Sequence, residues 1–580
     1  MNVVIIDGYV DEPACFGVPP YISPYPRYIA GAFVNRGISP DNIHYFTIDQ
    51  IRSTDSKSAV NISNAIKKSE VVVIVSGMTV PGKYLGYSPI TSDEIVSIFK
   101  ISSGIKILGG PVRFGYSLEG GTKAQNIPNL ENDVFLSTKD IESFVFDIFY
   151  ESHGKFNLLS KDRISNLNHR FRTNDEIAVW GKSGAFIITK HPQFPNILCE
   201  IETYRGCGQK TACSFCTEPM YGHPEFRKIS DIVLEISSLY KHGAVRFRIG
   251  RQPDLFAFGG FETGNNTFIP NPAAIEELYS KIRAVAPNLK TLHMDNGNPK
   301  TISEYPSESL EILKTIIKYH TPGDVIAMGI ESVDPKVILN NDLKASAQDA
   351  FEAISIVNSV GKKRGENGMP EILPGVNFVH GLLGESKNTL QLNYDFLENI
   401  LKSDLYLRRI NIRQAIVFKG TKLSSIDFKS PVSQKQFHNY KENVRKNIDM
   451  PMLQKIVPVG TILKDVYFEQ TEDSKSFETG KISFGRQFGT YPLLIGTPGT
   501  IPPGTFKDVA VTGYGYRSIS GVPVPLNINT ASREMIRSLP FLSDKTADEI
   551  FIKRPFKNKN DLISRTEAEQ TVLRFIDFDN

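Results

Sequence analysis

Residues 202–216 read Glu202-Thr-Tyr-Arg-Gly-Cys207-Gly-Gln-Lys-Thr-Ala-Cys213-Ser-Phe-Cys216. The chain of 580 residues holds five cysteines, so three within ten positions read as a ligand set rather than a scatter. A [4Fe–4S] cluster normally takes four thiolates, and three would leave one iron open to a molecule that is not protein. A zinc knuckle is the competing reading; it needs a fourth Cys or His, and His223 is near enough in sequence to supply one. The odd count and the clustering argue against disulfides and for a reducing compartment. Cys15 and Cys199 stand alone and read as small buried residues.

The composition around this window is that of an ordinary globular protein. Sixty-six Lys and Arg against 63 Asp and Glu give a net charge of +3, so the total announces no polyanionic partner, while a local basic patch stays open. At about 150 residues per domain the length suits three or four domains. There is no charged-then-apolar leader and no apolar run near ~20 residues. The expectation is a cytoplasmic protein with no membrane segment.

Residues 1–150 alternate β-rich and helical segments: Val3–Ile6, a helix through Tyr28–Phe33, then Ile43–Phe46, Val71–Val75 and Ile105–Leu108. That alternation predicts a doubly wound, Rossmann-like parallel sheet. Gly109-Gly-Pro-Val-Arg-Phe-Gly115 falls at a carboxyl strand end, where such sheets bind ligands. In the bridging segment 151–190, Glu176–Trp180 and Ala185–Thr189 bracket Gly181-Lys-Ser-Gly184, a hairpin pattern.

Residues 191–430 predict a partial (β/α) barrel. Its strands are Ile197–Glu202, Ala244–Ile249, Thr291–Met294, Ile326–Ile330, Gly375–Val379 and Arg409–Arg413, with an apolar helical period over Ile229–Tyr240. Polar or Gly-rich residues recur at the carboxyl ends, the face on which such barrels place their sites. Gly250, Arg251, Asp254, Asp295, Glu331, Ser332 and Arg413 are the candidates there. Taken singly, each has an ordinary explanation as a turn glycine or a solvated loop charge. Arg413 offers a planar fork suited to a carboxylate or phosphate.

Residues 431–520 open with a basic helix, 435–446, on which Phe437 and Tyr440 read as packed residues. Short β runs separated by Gly and Pro follow: Thr461–Leu463, Val466–Phe468, Lys481–Arg486, Tyr491–Ile495 and Phe506–Val511. They predict a small antiparallel barrel. In 521–580 a helix capped by Thr530 or Ser532 ends at Leu539-Pro540, and a second helix runs through Asp544–Ile552.

The cysteine window resembles the cluster loop of radical S-adenosylmethionine (radical SAM) enzymes. Arg-Gly-Cys follows the first barrel strand, Cys-Ser-Phe-Cys closes the loop, and Cys-x5-Cys-x2-Cys is an expanded form of the family's Cys-x3-Cys-x2-Cys. Gly329-Ile-Glu331-Ser332 and Gly381-Leu-Leu-Gly-Glu385 resemble its fourth- and fifth-strand motifs. The resemblance implies that Cys207, Cys213 and Cys216 hold a [4Fe–4S] cluster and that SAM chelates the open iron. An electron from the cluster would then release a 5′-deoxyadenosyl radical. It also implies that Gly250, Arg251 and Asp254 lie by the methionyl part of SAM and Asp295 and Glu331 by its ribose or sulfonium. Ser332 and Arg413 join the cofactor contacts.

The N-terminal segment, with Gly17-Val-Pro-Pro20, resembles a cobalamin-binding domain that lacks Asp-x-His-x-x-Gly. Cobalamin binding and a plain Rossmann-like scaffold both stay open. Gly480–Arg486 with Pro503–Val509 resembles a TRAM module. Asn527-Ile-Asn-Thr-Ala531, Leu539-Pro540 and Arg554-Pro-Phe556 resemble a helix-hairpin-helix, although Leu539-Pro540-Phe541-Leu542-Ser543 lacks both hairpin glycines. The whole chain resembles an archaeal-type radical SAM family. That order of modules implies an RNA substrate, tRNA foremost, and an electron donor such as ferredoxin or flavodoxin. Methylthiolation needs three further cysteines and only Cys15 and Cys199 remain; cobalamin-assisted methylation stays open. The alternatives are a radical SAM enzyme acting on a peptide or small molecule, and a nucleic-acid-binding protein with a structural cluster.

Overall fold

The computed structural model describes residues 1–9, 20–53, 55–77, 88–117, 119–127, 129–209, 211–263, 267–474 and 480–578. Cys15 and residues 17–19 lie outside them. The chain opens with β1 (Val3–Asp7), β2 (Tyr21–Ile22), β3 (Ile43–Thr47), β4 (Val71–Val75), β5 (Ile105–Gly109) and β6 (Val134–Leu136). Strands β3-β1-β4-β5-β6 lie side by side in that order, every pair parallel, as the alternation predicts. Val3, Ile5, Val71, Val73 and Ile107 face one apolar layer, while Val4, Ile6, Val72, Ile74 and Leu108 face another. Burial on both faces is why Val3–Ile6 of β1 and all of β4 read as unbroken apolar runs.

The bridging segment departs from expectation. The hairpin is β7 (Phe149–Ser152) with β8 (Lys155–Leu158), and Glu176–Trp180 belongs to a helix, Asn174–Ser183, followed by a 3-10 turn at Ala185–Lys190. Thr173 and Glu176 close a capping box at its start, which overrides the β-rich composition. Gly184 serves close packing instead of a β-turn. A Cβ on Gly31 would strike the backbone of Trp180, and one on Gly184 that of Arg27. The helix thus lies directly on the helix Pro24–Asn35.

The second sheet system contains β9 (Leu198–Glu202), β10 (Arg246–Gly250), a short pair β11 (Phe261–Glu262) and β12 (Phe268–Ile269), β13 (Thr291–Met294), β14 (Asp324–Glu331), β15 (Ile372–His380) and β16 (Arg409–Gln414). β13-β10-β9 and β14-β15-β16 are parallel sheets, joined by a parallel bridge between Asn296 and Ala327. This is the expected partial barrel. β2 pairs with β9, so the N-terminal segment supplies the barrel sheet with an edge strand.

β17 (Ile462–Asp473), β18 (Lys481–Arg486), β19 (Leu494–Pro498), β20 (Phe506–Tyr514) and β21 (Ser518–Val524) close a barrel in the order β17-β18-β19-β21-β20. It is not wholly antiparallel, because β19 and β21 run parallel. The runs 461–463 and 466–468 are one strand, its register broken between Leu463 and Val466. Before this barrel, the helix Gln434–Val444 buries Phe437 and Tyr440 as expected and passes into a π turn, Arg445–Asp449. Three short helices, Arg533–Arg537, Asp544–Lys553 and Lys559–Arg565, end the chain, and Ser532 caps the first. Among the described residues no helix is long and apolar enough to cross a membrane.

Where the N-terminal sheet, the bridging segment and β9 meet, eight charged side chains form one buried network. Glu235 pairs with Arg27 (2.8 Å) and Arg227 (2.8 Å); Arg172 pairs with Glu202 (2.5 Å) and Glu142 (2.7 Å); Arg205 pairs with Asp140 (2.5 Å). Burial pushes the Asp140 carboxyl up, but Arg205 and Arg172 outweigh it and hold it below the usual carboxylate range. Replacing Arg172 by Ala strands Glu142 and Glu202 and should lower stability by about 3–5 kcal/mol. A denaturant midpoint unchanged from wild type would show that the network does not hold the segments together.

Candidate functional site

The cysteine loop leaves the carboxyl end of β9 and is tied down at several points. Gly206 sits at φ 94°, its N–H donates to Glu218 Oε1 (2.7 Å), and a Cβ there would lie 2.5 Å from Gly222 O. Only glycine suits that close left-handed turn. Ser214 Oγ donates to Asn341 Oδ1 (2.6 Å), and Ser214 N to Asn341 O (3.0 Å). Phe215 packs with Val337, Leu382, Ala415 and Leu423, which come from the segments that follow β14, β15 and β16. The residues between Cys213 and Cys216 thus anchor the loop across the barrel mouth.

All three thiols are unpaired and half-buried. Burial pushes Cys213 up to about 11 and Cys216 higher. Lys344 stands within electrostatic reach of Cys207, Cys213 and Cys216; burial disfavours its charge, but the three thiols and Asp254 outweigh that and raise it above the usual lysine range. His223 turns away, pairing with Glu262 (3.2 Å) at the surface, so it brings no fourth ligand to a zinc knuckle. Among the described residues no three His, Cys, Asp or Glu side chains converge on a single ion. Thiolates on a cluster need not converge, because each meets its own iron.

The six barrel strands alternate along most of their length, with a bulge in β14. Cys199, Ile201, Phe247, Ile249, Leu292, Met294, Ile326, Met328, Ile330, Phe378, Ile410 and Ile412 face the helices. Their neighbours, facing inward, are largely polar: Glu200, Arg248, His293, Asn377, Arg409, Asn411 and Arg413. Low in this lumen the charges are paired with one another. Arg248 meets Glu200 (3.1 Å) and Asp295 (2.8 Å), and Tyr21 donates to Glu200 (2.8 Å). The segment before β19 enters from the small barrel: Tyr491 donates to Asp295 (3.0 Å) under the Arg409 guanidinium, and Thr490 donates to Met294 O (2.8 Å) and to His293 Nδ1 (3.1 Å). Residues 489–491 therefore close the floor, and the expected strand Tyr491–Ile495 begins only at Leu494.

The seven sequence candidates divide. Asp295 belongs to this floor network. Asp254 accepts from Phe256 N (3.1 Å), Asn298 N (3.0 Å) and Thr301 Oγ1 (2.8 Å), a turn-holding role, and burial raises it to about 6. Ser332 bonds Asn393 and Asp334 N. Gly250 makes room for Glu200, since a Cβ would lie 2.6 Å from its Oε1. Arg251, at φ 56°, lies against Tyr221 and 3.6 Å from Glu218, tying β10 to the cysteine loop. Glu331 and Arg413 lie within electrostatic reach of each other. Glu331 has φ 65° at a bulge in β14, and burial raises it to about 7 against the pull of Arg413 and Lys344. Its Oε2 is buried without a hydrogen-bond partner among the described residues.

Sequence reasoning missed three elements. Lys344 carries no motif of its own, four residues past a helix end. His380, at the end of β15, holds Glu385 (2.7 Å) and packs edge-on to Phe437 and Tyr440; in the sequence it stands just before Gly381-Leu-Leu-Gly-Glu385 and carries no signal of its own. Tyr491 hid in a run that looked like a strand. Over this mouth, Phe114 from the carboxyl edge of the N-terminal sheet packs with Tyr221 and Phe418. Cys199 is fully buried, as expected.

No protein-family model matches the chain. An uncharacterized protein of Archaeoglobus fulgidus is 40% identical over 563 residues, 97% of each chain. One of Methanocaldococcus jannaschii is 41% identical over 528 residues, 90% of this chain and 93% of that one. Among solved structures, the chain is similar to the radical S-adenosylmethionine methyltransferase TsrM from Kitasatospora setae with cobalamin and a [4Fe-4S] cluster bound. The identity there is 13%, the TM-score 0.44, and 73% of this chain and 74% of that chain are covered. It is also similar to the cobalamin-dependent radical enzyme OxsB, at 12% identity and TM-score 0.45 over 80% of this chain and 59% of that one. At such low values nothing about the chemistry of this chain follows from either likeness.

Tyr491→Phe should lower stability by about 1.5–3 kcal/mol, the worth of a hydrogen bond to a buried charge. Urea unfolding measures it, and an unchanged midpoint would mean that Tyr491 does not hold the floor through Asp295.

Proposed function

The chain belongs to one family with the Archaeoglobus fulgidus and Methanocaldococcus jannaschii proteins, and for it we propose radical SAM chemistry at the carboxyl mouth of the partial barrel. One observation carries the reading: three unpaired thiols on a single anchored loop, all within reach of the Lys344 ammonium. The donor set fits a [4Fe–4S] cluster with one open iron, and thiolate ligands would leave it anionic, which Lys344 offsets. The buried, unpartnered Glu331 Oε2 beside it suits a polar ligand. When bound, the cluster and SAM supply a one-electron cleavage that yields a 5′-deoxyadenosyl radical.

The chain's own residues do the rest. Cys207, Cys213 and Cys216 ligate; Gly206, Ser214 and Phe215 fix the loop; Glu331 and Arg413 orient what enters the upper lumen. Tyr491 below and Phe114 above exclude water. A corrinoid held from beneath by imidazole does not fit, because the loops after β1, β4 and β5 contain no histidine.

RNA, tRNA foremost, is the expected substrate, and its support is the order of modules. A peptide or small molecule is favoured by how those modules are used. The small barrel plugs the lumen, and at the hairpin Phe541 sits at φ 63° where a glycine would expose backbone amides, while Arg533 and Arg537 are both held by Asp548. The proposed electron donor is a ferredoxin or flavodoxin.

Anaerobically reconstituted protein with a chemical reductant should convert SAM to 5′-deoxyadenosine and methionine, and Cys213→Ala should abolish both this and iron retention. Full iron loading with no cleavage would sink the reading. A nucleoside mass profile of host RNA from wild type and from the Cys213→Ala strain then decides the substrate: one lost modification selects RNA, and an unchanged profile excludes it.

A further inference from the structure

The motif Gly109-Gly-Pro-Val-Arg-Phe-Gly115, at the carboxyl end of β5, has no part in the cluster chemistry. It folds as a tight 3-10 turn, Pro111–Phe114, between Gly110 at φ 95° and Gly115 at φ 108°. A Cβ on Gly110 would lie 2.8 Å from Ser76 O, and one on Gly115 2.9 Å from Ala124 Cβ, so neither position admits a side chain. Val112 N donates to Ser76 O (3.0 Å), which pins the turn across the ends of β4 and β5. The turn places Arg113 against the cysteine loop.

The Arg113 guanidinium lies 4.5 Å from the ring centres of both Phe114 and Tyr221, and 5.4 Å from that of Phe171. Tyr221 stands just past Cys216 and Phe171 belongs to the bridging segment, so separate parts of the chain converge on one cation. Aromatic faces attract a guanidinium and fix its plane, but they accept no hydrogen bond along its edge. That edge is nearly bare. Nη1 reaches Thr138 O at 3.5 Å, a long hydrogen bond, and Nη2 is buried with no partner among the described residues. The acids of this junction are engaged elsewhere: Asp140 holds Arg205, Glu202 holds Arg172, and Glu218 accepts from Gly206 N. A second unanswered polar atom lies under the same turn, for the Ser76 hydroxyl is fully buried and has no partner among the described residues. Exposed Lys139, 5.1 Å from the Phe171 ring centre, adds positive charge on this side.

A buried guanidinium N–H with no acceptor is unfavourable, the more so between apolar walls; here Phe114, Tyr221 and Phe418 form them. The paired N–H groups of a planar fork match two oxygens of a carboxylate or phosphate. The carboxyl ends of the strands are also where open parallel sheets bind their ligands. We infer that Arg113 binds an oxyanion of the substrate, a carboxylate or a phosphate, between the N-terminal sheet and the cysteine loop. The rest of the molecule then extends toward the barrel mouth. That the ligand is the substrate rests on the radical SAM reading; that Arg113 binds an oxyanion does not.

Equilibrium dialysis at low ionic strength measures the binding of inorganic phosphate and, separately, of succinate to the full-length protein. Arg113→Gln should weaken the preferred anion about tenfold or more, from the loss of charge-assisted hydrogen bonds. Arg113→Lys keeps a cation against the rings, so it should melt with wild type, yet it should bind more weakly because an ammonium offers no planar pair of donors. Lys545→Gln, on the helix Asp544–Lys553, should bind as wild type does, and wild-type affinity should fall as salt rises. Tighter binding of phosphate supports a phosphorylated substrate, and tighter binding of succinate a carboxylic one. An Arg113 that only staples the sheet to the loop through its ring contacts would leave anion binding unmoved. No saturable binding of either probe, or binding by both Arg113 variants equal to wild type, therefore overturns the site; where Arg113→Gln fails to fold, Arg113→Lys decides alone. SAM cleavage measured on the same wild-type preparation separates the two ideas. Anion binding without cleavage retires the radical SAM reading and keeps the site; cleavage without anion binding does the reverse.

Discussion

Four arginines and four carboxylates buried at one junction hold the cysteine loop where it is. Glu202 ends β9 and Arg205 stands two residues before Cys207, so both belong to the network and to the stem of the loop. Their partners come from elsewhere in the chain: Arg172 from the bridging segment, Asp140 from the start of the helix Ile141–Asp147. Buried ion pairs are poor sources of net stability, since desolvation offsets most of the attraction. Their effect here is positional. A loop displaced by a few ångströms would leave several of the eight charges unpaired in an apolar setting, which is far worse than leaving them paired.

The same junction limits how the molecule can move. One contiguous apolar core runs from Val3 and Ile5 through Trp180, the barrel helices and Phe378 to Val466 and Ile495 of the small barrel. Separate domains hinge readily when their interfaces are small and polar; this interface is neither. Prising the N-terminal sheet from the barrel would open the core and the charge network together. Access to the lumen therefore depends on its edges rather than on a domain swing.

Much of this was legible in the sequence because it follows short-range rules. The six barrel strands announce themselves by period-two alternation and by Gly-rich carboxyl ends, and four of the five N-terminal strands by β-rich runs; the short, half-exposed β6 (Val134–Leu136) carries no such run. The failures share a cause. Gly181-Lys-Ser-Gly184 reads as a turn until Gly31 and Gly184 are seen to admit another helix's backbone. Tyr491 reads as strand because local composition cannot show that its hydroxyl meets Asp295, 196 positions earlier. Lys344 stands four residues past a helix end and belongs to no motif, and a net charge of +3 says nothing of where single charges gather. Asp254, Asp295 and Ser332 stand at the right strand ends, yet in the structure they bond to protein groups.

The lumen is best understood by which of its charges are answered. Barrels of this general kind fill their interiors with branched apolar side chains. This one places charged and amide groups along its inner face, then settles the lower ones among themselves: Glu200 with Arg248, Arg248 with Asp295, Asp295 with Tyr491. Above that floor the accounting changes. Glu331 folds back in a left-handed conformation, made possible by Gly329, where a Cβ would lie 2.7 Å from its Oε1, and its Oε2 finds no partner among the described residues. A strained, buried and unanswered carboxylate is unfavourable in isolation. Its place, within electrostatic reach of Lys344, Arg413 and Cys213, is why the proposed ligand is sought there and not at the floor.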